Sequence, residues 1–256
     1  AGYKTNTGGF AAGIDTVIRD NTTVGMAASY SETRLTGRDG GNTKNKIETI
    51  QGTLYASHNI NPKLYTEATL YYGYNTYRGH SDIPNGIGRR SGKYHGYQLG
   101  GKVTAGYKAK HKFLEITPKA SLDYNHLHTR RYTETGAGAL NRTINKSNYN
   151  VSTVDAMVNV AYPVKVKHGG TLVPSLNLGA GYDIKSDAIT NTATFAGATA
   201  NPYNLQGIKP DRASLKGGAN IAYNFNHQTS LAADYMYEKR HKFFSHSAFL
   251  NLRMKL

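Results

Sequence analysis

Asp123, His126 and His128 place a carboxylate and two imidazoles within one short stretch of the chain. A carboxylate that holds an imidazole can turn it into a base toward water. The same three residues also read as the polar end of a strand entering a loop, and we prefer that reading. His241 and His246 form a second histidine pair, but no further ligands stand at the spacings a metal site uses. Lys216-Gly217-Gly218 lies inside an alternating, strand-like stretch and is not a phosphate-cradling loop. No serine stands in a Gly-x-Ser-x-Gly nucleophile elbow. The chain has no cysteine, which excludes a disulfide scaffold and thiolate chemistry. No catalytic residue, metal or cofactor is therefore expected, and the chain reads as a protein that is not an enzyme.

The elements that carry these residues share one pattern. From Thr171 to Lys185, Leu172, Pro174, Leu176, Leu178, Ala180, Tyr182 and Ile184 fall on one parity. Thr171, Ser175, Asn177, Gly179, Gly181, Asp183 and Lys185 fall on the other. A period of two means an extended strand with two unlike faces. Leu114–Tyr124, Val154–Val164 and Leu215–Phe225 repeat it. Weaker versions lie near Phe10–Ile14, Val24–Tyr30, Ile50–Ala56, Leu64–Tyr74, Tyr97–Tyr107 and Leu231–Tyr237. The chain closes on Phe244, Ala248, Leu250, Leu252, Met254 and Leu256 against Phe249, Asn251, Arg253 and Lys255.

Hydrophobic residues make up 38% of the chain and the mean hydropathy is -0.55. No run approaches the roughly 20 apolar residues of a spanning helix. A membrane β-barrel is compatible with such values, because only alternate residues of its strands meet lipid. A soluble β-sandwich also alternates, but its strands average about 5–6 residues, and these are longer. Short turns at Arg19–Thr22, Asn59–Pro62, Ala109–His111, His168–Gly170 and Asn226–Gln228 take turns with longer connections. Those lie at Thr36–Thr43, Thr76–Gly92, Thr129–Ser147 and Ser186–Pro210. Tyr30, Tyr74, Tyr97, Tyr124, Tyr182 and Tyr237 fall on the apolar parity near the long connections, and Tyr107, Tyr162, Tyr223 and Phe225 near the short turns. Two aromatic girdles and one-sided long loops are features of transmembrane barrels. The fold class is all-β, a transmembrane antiparallel barrel in a bacterial outer membrane.

The segments number eleven, whereas single-chain bacterial barrels usually have an even count. Residues 1–256 are expected to form one barrel domain of twelve strands when complete, the first lying before Ala1. The polar parity supplies the lumen: Glu67, Lys102, Glu115, Lys119, Asp123, Asp155, Lys165, Arg212 and Lys216, with Asp183, Asp234, Arg253 and Lys255. Gly96, Gly100, Gly179, Gly181 and Gly218 share that face and leave room beside Tyr55, Tyr65 and Tyr71. The formal charge is +15. Its excess sits in the long connections, at Arg34, Arg38, Arg78, Arg89, Arg90, Lys93, Arg130, Arg131, Arg142 and Lys146. These would meet outer-membrane lipids, lipopolysaccharide or host polyanions by Coulomb attraction, or serve solubility alone. No stacking platform or groove-reading element for nucleic acid is found.

Several stretches then resemble one family, in order and along nearly the whole chain. Gly9-Phe10-Ala11-Ala12-Gly13-Ile14-Asp15 and Val24-Gly25-Met26-Ala27-Ala28-Ser29-Tyr30 are similar to the second and third strands of autotransporter (type V secretion) barrels. Tyr132-Thr133-Glu134-Thr135-Gly136-Ala137-Gly138, Pro174–Tyr182 and the closing strand fit as well. The resemblance implies a twelve-stranded monomeric translocator, a helix threading its pore and an exported passenger upstream. It also implies insertion by the outer-membrane assembly machinery, which reads the final strand at Leu250, Leu252, Met254 and Leu256. The sequence departs from the pattern in lacking the pore helix and first strand, so no cleavage residues can be located. It departs again in ending on Leu256 rather than an aromatic. A general diffusion porin and an outer-membrane protease are the alternatives.

Overall fold

The computed structural model describes residues 2–37, 42–83, 87–166, 169–188, 190–207, 210–226 and 228–254. β1 (Tyr3–Ile18), β2 (Thr22–Gly37), β3 (Lys44–Asn59), β4 (Leu64–Ile83) and β5 (Gly88–Tyr107) lead into β6 (Ala109–His111) and β7 (Leu114–Thr129). β8 (Tyr132–Thr133) and β9 (Arg142–Ile144) flank a single 3-10 turn at Gly138–Leu140. β10 (Ser147–Ala161), β11 (Val164–Lys165) and β12 (Thr171–Ser186) precede a hairpin of β13 (Thr190–Phe195) and β14 (Ala198–Gln206). β15 (Ala213–Asn224), β16 (Thr229–Arg240) and β17 (Phe243–Met254) follow.

Eleven of these strands form one antiparallel meander, β1-β2-β3-β4-β5-β7-β10-β12-β15-β16-β17. The short β6 and β11 carry β5 and β10 onward against the same neighbours in unchanged register, past breaks at Lys108 and at Tyr162-Pro163. Strands of 16 residues such as β1, β2, β3 and β7 are far longer than a soluble sheet requires. The rise of about 3.3 Å per residue lets a tilted strand cross a bilayer and emerge on both sides.

The two faces are inverted relative to a soluble protein. Leu178 is 70% exposed and Leu250 is 74% exposed, whereas Asp155 and Asp183 are 3% and 2% exposed. Among the described residues, the buried hydrophobics are only Ile144, Ala161 and Ala193. A sandwich buries its apolar parity; this sheet turns that parity outward and its charges inward. The outer apolar surface is stable only against lipid.

The predicted turns hold at Arg19–Thr22, where Arg19 takes a left-handed φ of 61°, and at Asn226–Gln228. At the latter, the Asn226 side chain accepts hydrogen bonds from the Gln228 and Thr229 N–H groups; His227 lies outside the described residues. Gly169 and Gly170 turn the chain with φ of 97° and 82°; the adjoining His168 lies outside the described residues. The turn expected at Ala109–His111 is instead strand β6, and the reversal falls at Lys112-Phe113, with Lys112 at φ 54°.

Three of the long connections expected as loops contain ordered sheet. Thr76–Gly92 continues the β4–β5 ladder as far as Ile83 opposite Gly88. No apolar parity marks that part of the hairpin, because both of its faces are wet once it has left the bilayer. Thr129–Ser147 and Ser186–Pro210 contribute a second, four-stranded sheet in the order β14-β13-β9-β8. Arg38, between β2 and β3 in the sequence, lies outside the described residues.

The face assignment has a direct test in two neighbouring residues. Leu178 points to lipid, and Asn177 points inward beside Gly218 and accepts a hydrogen bond from Asn159. Leu178→Arg is expected to cost roughly 2–4 kcal/mol at mid-depth and to block membrane assembly, whereas Asn177→Arg assembles. Heat-modifiable mobility after folding into lipid reads both; equal folding of the two variants would reject the assignment.

Candidate functional site

The concave face of the meander is lined by charge, and the strands β5, β7, β10, β12 and β15 bring its central cluster together. Lys102 stands directly opposite Asp123 across β5 and β7, and Asp123 opposite Thr153 across β7 and β10. Two residues along, Asp155 accepts a hydrogen bond from Lys216 at 2.5 Å and lies 3.8 Å from the Lys102 ammonium. Gly181 lies beneath this contact: a Cβ there would meet the Asp155 carboxylate, the Ser214 hydroxyl and the Lys216 ammonium. Of the nine lumen residues expected from the sequence, Lys102, Asp155 and Lys216 thus form one ion-pair network, with Asp123 directly opposite Lys102.

The other five are spread out. Glu67 faces inward between Ser57 and Thr104, without a cationic partner within 4 Å among the described residues. Glu115 pairs with Lys110 at 3.1 Å near the short-turn end. Lys119 is half-buried opposite Gly106 and Met157. Lys165 is exposed on β11, and Arg212 is exposed just before β15. These five belong to the rims and flanks of the concave face rather than to its centre.

A second cluster was only half visible in the sequence. Asp183 accepts hydrogen bonds from Arg240 at 2.6 Å and from Thr153 at 2.8 Å. Arg240 also donates to Glu238 at 2.9 Å and to the Asp211 carbonyl. Arg240 ends its strand with no apolar neighbour pattern to mark it, so sequence reading passes over it. Nearer the other edge, Asp234 accepts from Asn220 at 2.5 Å and from Asn251 at 2.7 Å. Pairing in this way spares the most buried carboxylates, Asp155 and Asp183, the large penalty of a buried charge without a partner.

Inward tyrosines pack over inward glycines. The Tyr71 ring lies where a Gly100 side chain would be, as expected from a small and a bulky residue sharing the inward face. Tyr55 and Tyr65 lie instead over Gly25 and Gly106, which are their own cross-strand neighbours.

The mouth on the long-connection side is partly covered. Tyr77, Tyr94 and Tyr132 stack with centroids 4.5 and 4.0 Å apart and planes within 8°. This stack ties β8 to the inner side of β5. Glu134 and Arg142 join β8 and β9 through a bidentate pair at 2.6 and 2.8 Å, with Arg90 4.0 Å away. Burial beside Glu134 pushes the Tyr132 phenol up to about 12, and the hydrogen bond to Glu134 holds the Arg142 guanidinium above its ordinary value. Ala193 is fully buried and Phe195 stacks on Tyr203, giving the small sheet its own core. The Glu134 stretch is therefore part of this cover rather than a strand of the main sheet.

The Asp123–His126–His128 constellation does not assemble. Asp123 faces inward, while His126 and His128 share the outward parity of Tyr124. His126 bonds Asn150 at 2.8 Å and His128 bonds Asn148 at 2.7 Å. His128 stacks on Tyr97 at 4.8 Å, His95 on Tyr74 at 5.5 Å, and His246 lies 5.1 Å from Tyr237. The histidines thus extend the outer girdle, a role that their isolated spacing does not signal. His241 lies at the β16–β17 turn, away from the girdle contacts of His246. Among the described residues, no group of three His, Cys, Asp or Glu side chains is placed to hold a metal ion.

The described sheet has two unpaired edges. β1 and β17 are not hydrogen-bonded to each other, yet Arg253 of β17 reaches Asp15 of β1 at 2.7 Å. The meander is therefore curled until its first and last strands approach within one arginine side chain.

Known proteins share this architecture. The translocator domain of the autotransporter NalP from Neisseria meningitidis superposes with a TM-score of 0.82 at 16% identity, over 99% of this chain and 82% of that one. The transport unit of the autotransporter AIDA-I from Escherichia coli gives a TM-score of 0.73 at 14% identity, over 99% of this chain and 84% of that one. Outer membrane protein A of Rickettsia rickettsii is 27% identical over 254 residues, which are 92% of this chain and 11% of that protein. Outer membrane protein B of Rickettsia prowazekii is 28% identical over 155 residues, 57% of this chain and 9% of that protein. The chain thus spans about a tenth of the length of the curated relatives it matches. The family model of the autotransporter β-domain matches residues 1–236. With its inverted faces, charged interior and curled antiparallel meander, the chain belongs to the autotransporter β-domain family and is a β-barrel domain of the bacterial outer membrane.

Proposed function

We propose that this domain is the translocator through which an N-terminal passenger leaves the cell. The observation that carries the reading is the curled, inverted sheet with two unpaired edges meeting at Arg253 and Asp15. In an antiparallel meander of eleven strands, the first and last run in the same direction. β1 and β17 therefore cannot pair with each other as antiparallel neighbours, whereas one further strand running the opposite way can pair with both. Unpaired backbone groups in lipid cost several kcal/mol each, so such a strand is strongly favoured. Supplied by the same polypeptide upstream of residue 1, it would leave the preceding segment at the short-turn end, beneath the lumen. A pore helix fits there, and the paired charges of the concave face suit a polar segment passing through.

A general diffusion porin is less well supported. Porins usually close with about 16–18 strands, and this sheet is nearly closed at eleven. A membrane protease would need Asp123 and His126 on one face, and they lie on opposite ones. The partners of this reading are the domain's own passenger, outer-membrane lipid including lipopolysaccharide, and the assembly machinery, with the barrel itself monomeric.

The final strand serves assembly. Leu250, Leu252 and Met254 form an exposed outward row, and Asn251 and Arg253 an inward polar one. Leu256, next on the same sequence parity, lies outside the described residues. Such an end can add to an exposed edge of the insertion machinery by backbone pairing, with register fixed by the period of two.

Two measurements follow. In lipid vesicles, a version that includes the upstream strand is expected to show a urea midpoint higher by about 1 M and greater protease resistance than residues 1–256 alone. Equal midpoints would reject the closing strand. In cells, deletion of Arg253–Leu256 is expected to abolish surface labelling of a tagged passenger, while Leu256→Phe preserves or improves it. Normal display by the deletion variant would show that this strand neither closes nor targets the barrel.

A further inference from the structure

Above the outer aromatic girdle, the strands β3, β4 and β5 carry three cations in one transverse row. Lys46 stands directly opposite Arg78, and Arg78 directly opposite Lys93. Arg78 has the parity of Tyr72 and Tyr74, and Lys93 that of Tyr97 and Leu99, so the row faces outward, away from the lumen. His80 and Ser91 form the next cross-strand pair on the same face. The chain beyond β7 then comes alongside: Thr135 forms an isolated bridge to Ser91, and Thr133 and Thr135 complete a hollow of about 550 Å³ over the cations.

Like charges placed directly opposite in a sheet are destabilising, so the row calls for an anion. Its internal neutralisation is incomplete. Lys46 lies 2.9 Å from Glu32 and 3.1 Å from Glu48, and Glu48 lies 3.4 Å from Arg78. Glu32 is further shared with Arg34 at 2.8 Å. Lys93 has no acidic partner within 4 Å among the described residues.

The position of the row selects the anion. It lies four residues beyond Tyr74 along β4, about 13 Å at an extended rise, on the surface that continues the lipid-facing band. Cations meant for a soluble polymer would stand at the tips of the hairpins. These look sideways, at the depth where the headgroups of the surrounding leaflet lie once the tyrosines occupy the interface. A phosphate ester there meets the Lys46–Arg78–Lys93 row, and Ser91 and Thr135 line the hollow beside it for sugar hydroxyls, while the Thr133 hydroxyl is held by Thr143.

We propose that this hollow is a binding site for the phosphorylated sugar headgroup of an outer-leaflet glycolipid, the lipid A part of lipopolysaccharide. The site rests on the reading of the domain as an outer-membrane barrel with β4 and β5 emerging on the outer side. It goes beyond that reading by making one lipid a specific ligand of one outer flank. The chain just after β8 is bridged to β5 here at Thr135, and β8 itself is held through the Tyr94–Tyr132 stack, so an occupied site also fastens the cover of the mouth to the barrel wall.

The test uses the full-length protein folded in detergent micelles and titrated with bisphosphorylated lipid A or with the same lipid after removal of its phosphates. Melting temperature and native mass spectrometry read the binding. Bisphosphorylated lipid A is expected to raise the melting temperature and the dephosphorylated lipid to leave it unchanged. The variant Lys46→Gln/Arg78→Gln/Lys93→Gln should bind roughly ten-fold more weakly, the sum expected for three exposed ion contacts. Glu48→Gln should bind more tightly, and Lys63→Gln/Lys110→Gln at the short-turn end should bind as the unaltered protein does. Equal affinity of the triple variant, or equal binding of both lipids, would overturn the site. Preference for a soluble sulfated polysaccharide over lipid A would also overturn it. Heat-modifiable mobility and passenger display, measured alongside, separate the outcomes: a folded, displaying barrel without lipid A discrimination defeats the site alone, whereas failure to insert defeats the barrel reading beneath it.

Discussion

Every backbone N–H and C=O of a strand in lipid must find its partner inside the protein, because hydrocarbon offers none. This requirement sets the length of the strands, their antiparallel meander and the curl that brings Arg253 to Asp15. It also explains the continuity of the ladder. β6 and β11 keep the register of β5 and β10 past local breaks, so the pairing resumes at once where Pro163 interrupts it. The two edges of the sheet are the places where the requirement is unmet among the described residues, and both face the same gap.

The second constraint is the exchange of solvents between the faces. With lipid outside, the apolar parity needs no core to bury it, and large side chains such as Phe10 and Leu178 remain exposed. The interior is left to charge, and charge in a confined space must be matched. Asp155 with Lys216 and Lys102, and Asp183 with Arg240, do this across neighbouring strands. A separate small sheet, with Ala193 and Ile144 at its centre, builds the one conventional hydrophobic core of the described residues, beyond the bilayer.

The sequence made the main sheet legible because its signal is local. Leu172 to Ile184 alternate against Ser175 to Lys185 whatever lies next to them, and eleven such segments are the eleven strands of the meander. The register of turns was nearly as clear, failing at Ala109–His111 because Lys112, not a glycine, takes the left-handed conformation there. The small sheet was hidden for the opposite reason. β9 and β13 are short and meet across about fifty positions of chain, and their buried residues, Ile144 and Ala193, show no period. The charged network of the concave face is similarly nonlocal: Asp155 and Lys216 are 61 residues apart, and only the sheet order makes them neighbours. The histidines illustrate the limit of spacing as a guide, since one residue of offset puts Asp123 and His126 on opposite faces.

The central claim is that lipid and water have exchanged their usual sides of one sheet. The absence of native cysteine allows a direct measurement. Single cysteines placed from Leu176 to Ile184 on β12, spin-labelled in lipid vesicles, can be challenged with a lipid-soluble relaxant and with a water-soluble one. Strict alternation is expected, with Leu176, Leu178, Ala180, Tyr182 and Ile184 positions reached from lipid and Asn177, Gly179, Gly181 and Asp183 positions reached from water. Absence of that alternation, or its reversal, would contradict the claim.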